Sequence, residues 1–147
     1  MAVTTNLNAR LKTPVSPGFF YAGIITNLLA MAAQKKQMKI ALVVLGAPDS
    51  GLCHFRAQGF AKALETSSVS LQRVFFYGEG VLAAASDNSE CMSAWSAIAA
   101  TQGCDLVLCS ASAETHNVLP PPDAFTIMGL GALMEAGHDC DRVVSFD

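Results

Sequence analysis

Charge is scarce in this chain. Asp, Glu, Lys and Arg make up 14% of its 147 residues, against 52% that are apolar. That balance excludes a disordered chain, which stays open because it has too little apolar surface to bury. The length suits one domain with a real core. Acids are absent from residues 1–37, and bases are few from Met38 onward, where five stand against twelve acids. So acidic a body argues against direct nucleic-acid binding, which draws its affinity from basic groups on phosphates. Paired cysteine motifs are also missing. Cys53, Cys91, Cys104, Cys109 and Cys140 are odd in number, and no two have C-x-x-C spacing. They fit neither a disulfide framework nor a zinc site; they fit free thiols in a reducing, cytoplasmic compartment. Neither G-x-G-x-x-G nor G-K-[ST] occurs, so a nucleotide-binding loop is not expected. No metal or cofactor is signalled.

Residues 1–37 differ in character from the rest. Phe19 to Ala33 is mostly apolar but is broken by Gly23, Thr26 and Asn27, too short and interrupted for a membrane span. Arg10 and Lys12 precede it, and Ala30-Met-Ala32 resembles a small-x-small cleavage site. That is the outline of a secretory signal peptide. A second reading competes and is favoured by the free thiols. Met38-Lys-Ile-Ala-Leu-Val-Val looks like the start of a protein, which makes residues 1–37 an N-terminal extension outside the core and residues 38–147 the domain.

Within that domain, Lys39 to Leu45 is a continuous aliphatic run, the mark of a strand covered on both faces. Gly46 to Gly51 is a turn, and Leu52 to Glu65 reads as a helix with Phe55, Gly59, Phe60, Ala63 and Leu64 inward. Val69 to Tyr77 is the second strand, broken by Gly78-Glu-Gly80. Val81 to Ser89 reads as a loop or a ragged turn of helix. Glu90 to Gln102 is a helix carrying Met92, Trp95 and Ile98 inward, capped by Gly103. Leu106 to Cys109 is a short buried strand, and Ser110, Ala111, Ser112 and Ala113 follow it. Glu114 to Asp123 is irregular, since Pro120-Pro-Pro122 forbids helix or central strand. Phe125 to Ile127 is a strand, Met128 to Ala136 a helix, and Arg142 to Phe146 the closing strand. Strand and helix alternate without a hairpin signal, which predicts a three-layer α/β/α domain around a five-stranded, mainly parallel sheet.

Four blocks then carry a resemblance. They are Met38-Lys-Ile-Ala-Leu-Val-Val-Leu-Gly46, Val74-Phe-Phe-Tyr-Gly-Glu-Gly-Val81, Leu106-Val-Leu-Cys-Ser-Ala111, and Phe125-Thr-Ile-Met-Gly-Leu-Gly-Ala-Leu-Met-Glu-Ala136 with Cys140-Asp-Arg-Val-Val144. In this order they resemble the DsrE/TusD family of sulfur-relay proteins and cover the chain from Met38 to Phe146. The resemblance implies a DsrE-like fold and a cytoplasmic sulfurtransferase subunit that carries a persulfide on Cys109. It implies TusB- and TusC-like partner subunits in a hetero-oligomer, a TusA-like sulfur donor and a TusE-like acceptor. The end of such a relay is 2-thiouridine at the tRNA wobble position. Basic residues are expected after the family's cysteine; here Glu114 is the only charge between Ser110 and Thr115.

By itself, a cysteine closing an apolar strand is a small core hydrophobe. Three things together recommend Cys109 as the catalytic residue: its position at the carboxyl edge of a parallel sheet, where open α/β folds place their sites, the small residues after it that leave room for an incoming sulfur, and its match to the family's cysteine. A relay needs a thiolate that takes a sulfur and gives it up, with no cofactor or metal. Of His54, His116 and His138, each is by default a surface or capping histidine; His116, seven residues after Cys109, is the candidate helper. Cys140 reads as structural, and Cys53, Cys91 and Cys104 as incidental. The competing function is a non-catalytic structural subunit of a DsrE-like heterohexamer.

Overall fold

The computed structural model describes residues 37–147. The expectation for residues 1–37 lies outside the described residues, Gln37 excepted. Five strands form one sheet: β1 (Met38–Val44), β2 (Val69–Phe76), β3 (Asp105–Cys109), β4 (Phe125–Met128) and β5 (Arg142–Phe146). Their order is β4-β3-β2-β1-β5, and every neighbouring pair is parallel. Four helices accompany them: α1 (Cys53–Leu64), α2 (Ser89–Gln102), α3 (Ser110–Thr115) and α4 (Gly131–Asp139).

Alternation along the strands divides the core between two faces. On the first lie Ile40, Leu42, Val44, Val74, Phe76, Leu106 and Leu108, packed with Ala57, Ala61, Trp95 and Ile98 of α1 and α2. On the second lie Phe75, Val107 and Cys109, packed with Ala132 and Leu133 of α4. Ile40 to Val44 are all buried, as the unbroken aliphatic run implied. The layers are therefore α/β/α as expected.

Three expectations need correction. In α1 the inward stripe is Cys53, His54, Ala57, Ala61 and Leu64, while Phe55 is 74% exposed and Gly59 and Ala63 face out. The helix has two stripes of comparable apolarity, and the one with small residues wins because it lets the helix approach β1 closely. The region after β2 is the ragged turn of helix and not the loop, and it starts earlier than Val81. It is a 3-10 helix (Gly78–Ala84) with Val81, Ala83 and Ala84 in the core. Gly80 makes this possible: its N–H donates to the Leu45 carbonyl at 2.9 Å, and a Cβ there would run into the Val44 carbonyl. Finally, the helix expected from Met128 begins three residues later, because β4 extends through Met128 to pair with Cys109. Gly103 caps α2 as expected, with φ 67 and its N–H on the Ala99 carbonyl.

Candidate functional site

Cys109 is the last residue of β3 and the N-cap of α3, with extended backbone at φ −63, ψ 124. The chain passes from strand to helix with no loop between. α3 is tied down through Ser112, whose Oγ accepts the Gly78 N–H at 3.0 Å. That bond joins the two connections leaving β2 and β3 at the carboxyl edge of the sheet. The Cys109 side chain, however, points to the second face. It is 1% exposed, among Phe75, Val107 and Ala132, with Leu133 packed against the group. Of the small residues that follow it, Ser110 is half-buried and Ala111 exposed, while Ser112 and Ala113 are buried.

His116 is not brought to Cys109. It is the C-cap of α3, at the opposite end of the helix, about 10 Å away at ~1.5 Å of rise per residue. It lines a groove with Leu82, Met92, Val118 and Pro120, on the first face. Glu114 is exposed near the same end. His138 is exposed and lies 3.1 Å from Asp139 Oδ1.

The other thiols differ from one another. Burial pushes Cys104 up to about 11 and Cys91 up to about 11, the latter despite the Gln58 amide donating towards its sulfur. Both are protonated at neutral pH and are poor nucleophiles in that form. Burial also raises Cys140, opposed by nearby Arg73. All five cysteines are free.

His54 corrects the expectation of a surface or capping residue. It is 4% exposed, stacked against Phe76 and edge-on to Trp95. It forms part of the wall of a cleft of about 660 Å3 between the starts of α1 and α2, with Asp49, Gln58 and Cys91. Trp95 can only donate, so its N–H at 3.0 Å from Nδ1 makes that nitrogen an acceptor. The proton then sits on Nε2 and bonds to the Gly46 carbonyl at 2.9 Å. This histidine is a neutral structural group. The sequence signal for it was its place one residue into α1, in register with Ala57 and Ala61.

Arg73 was also missed. It sits in β2 on the same face as Phe75, donates from Nη1 to the Ala132 carbonyl at 3.0 Å and reaches Asp105 at 3.5 Å. An arginine directly before the buried run Val74-Phe-Phe76 was the available signal.

The model of the DsrE/DsrF-like family matches residues 38–146. The chain belongs to the DsrE/DsrF-like family. Among its DsrE/DsrF-like relatives, Sulfurtransferase TusD of Enterobacter sp. (strain 638) is 35% identical over 128 residues, covering 74% of this chain and all of that protein. Sulfurtransferase TusD of Klebsiella pneumoniae (strain 342) is 36% identical over 131 residues, with the same coverage. Two solved structures share the fold. The ychN protein from E. coli has a TM-score of 0.61 at 24% identity, over 74% of this chain and 99% of that one. A conserved protein of unknown function from Bacteroides thetaiotaomicron has a TM-score of 0.60 at 14% identity, over 77% of this chain and 98% of that one.

Proposed function

We propose that this chain is a persulfide-carrying sulfurtransferase subunit in a relay leading to 2-thiouridine at the tRNA wobble position, with Cys109 as the carrier. Relatives named as sulfurtransferases, matched along their whole length, support the activity. They do not favour the structural-subunit alternative. The observation that carries the residue assignment is the place of Cys109, on the last position of β3 at the carboxyl edge of a parallel sheet.

The chemistry is two thiol exchanges. The Cys109 thiolate attacks the terminal sulfur of an incoming protein persulfide, forming a new S–S bond. The donor's own S–S bond breaks, and the donor leaves as a thiolate. Cys109 is then the persulfide. An acceptor thiolate attacks its terminal sulfur, and Cys109 leaves as a thiolate. Nothing is oxidised or reduced overall, so no redox cofactor is required. By family resemblance the donor is TusA-like and the acceptor TusE-like, and the chain works beside TusB- and TusC-like subunits. The apolar side chains exposed on the second face, Met128, Leu130 and Met134, suit an assembly of that kind. Among the described residues no helix is long and apolar enough to cross a membrane, and the reading places the domain, residues 38–147, in the cytoplasm with residues 1–37 as an extension.

Complementation tests the proposal. In a host lacking its own TusD-like protein, the intact chain restores thiolated wobble uridine. Cys109→Ser does not, while Cys53→Ser and Cys104→Ser do. Thiolation restored by Cys109→Ser would hand the function to the structural-subunit reading.

A further inference from the structure

A thiol that exchanges sulfur with another protein must be reached by it, yet Cys109 is enclosed. Three of its walls, Phe75, Val107 and Ala132, are at most 6% exposed. Access requires one wall to move. Phe75 and Val107 belong to inner strands, each hydrogen-bonded on both sides. Ala132 and Leu133 belong to α4, which is nine residues long and lacks a side-chain cap at its start. The chain enters it through Gly129 and Gly131, and a Cβ at either position would meet open space. A short, uncapped helix on a glycine approach is the wall that yields.

One side chain ties the first turn of α4 to the sheet. Arg73 rises from β2 and donates from Nη1 to the Ala132 carbonyl, across 59 residues of sequence. Asp105 holds the other arm of the guanidinium. Nε is buried without a hydrogen-bond partner among the described residues, so the head is incompletely satisfied while it is closed. A space of about 260 Å3, lined by Lys39, Gln72, Asp105 and Cys140, lies beside it and gives it room to turn.

We propose that Arg73 clamps α4 over Cys109, and that release of this clamp admits the persulfide donor to the thiol. The proposal rests on Cys109 being the sulfur carrier. Arg73 is a positioning residue here: it touches no substrate and acts through α4.

The test is the rate at which iodoacetamide labels each cysteine in the full chain, resolved by peptide mass spectrometry. Wild-type Cys109 should label far more slowly than a free thiol. Arg73→Ala should raise its rate about tenfold, the factor expected when a hydrogen bond to a charged group is lost from the closed state alone. Cys104, buried in the other core, should label at the wild-type rate. Gly129→Ala, which stiffens the approach to α4, should slow Cys109. An unchanged Cys109 rate in Arg73→Ala would overturn the clamp. So would a parallel rise at Cys104, which signals general loosening, or no slowing in Gly129→Ala. Sulfur loading from a protein persulfide, followed in the same samples, keeps the two ideas apart. Faster alkylation with no sulfur arriving on Cys109 upholds the clamp and removes the relay.

Discussion

Trp95 donates its indole N–H to Nδ1 of His54 at 3.0 Å, across the contact between α1 and α2, and thereby fixes a buried histidine in its neutral form. Burial holds His54 below the usual histidine pKa, with the bond to the Gly46 carbonyl opposing part of that shift. The consequence for stability has a definite sign. As pH falls below about 6.5 the unfolded chain takes a proton on this ring that the native chain refuses, so stability falls. The urea midpoint should drop between about pH 7.5 and 5.5, and the drop should shrink in His54→Phe. An equal drop in both proteins would show that His54 is protonated in the native state.

The same bond sets the cost of losing the indole. Trp95→Phe removes the donor and leaves Nδ1 buried without it, at about 2 kcal/mol, chiefly the cost of an unsatisfied polar atom. Equilibrium unfolding measures it. A change within a few tenths of a kcal/mol would mean that water or Cys91, whose sulfur lies 3.5 Å from Nδ1, takes over.

Gly80→Ala is expected to be among the costliest single-methyl additions to the domain. The new methyl meets the backbone of Val44, which β2 and β5 hold in place on either side. Overpacking of this kind costs about 1–3 kcal/mol. Gly129→Ala adds the same atom in open space and serves as the control in thermal unfolding.

Cys91 and Cys104 carry thiols pushed up to about 11 by burial. Their alkylation should be slow at neutral pH and climb about tenfold per pH unit, with no plateau near the free-thiol value of ~8.5. A plateau near that value at either position would mean that its burial is transient.

Much of this was legible in the sequence because the strands are unusually pure. Lys39 to Leu45 and Leu106 to Cys109 have no competing pattern, and the edge position of Cys109 followed from the strand ending where small residues begin. What escaped was set by tertiary contact. The stripe of α1 that faces the sheet was decided by the closeness of β1, which favours Ala57 and Ala61 over Phe55, while Phe60 packs at the margin of the core against Phe146. The start of α4 was displaced because Met128 pairs with Cys109 in the sheet. The enclosure of Cys109 depends on Arg73 and Ala132, which are 36 and 23 positions away and carry no local mark of their meeting.

Everything proposed for the relay requires sulfur to pass through Cys109. The most direct measurement of that passage is mass spectrometry of the full chain after incubation with a protein persulfide donor, with the modified residue located by peptide mapping. Cys109 should gain one sulfur atom, which is lost on addition of an acceptor thiol and absent in Cys109→Ser. The same gain persisting in Cys109→Ser, or found on Cys53, Cys91, Cys104 or Cys140 in the intact chain, would contradict a relay through Cys109.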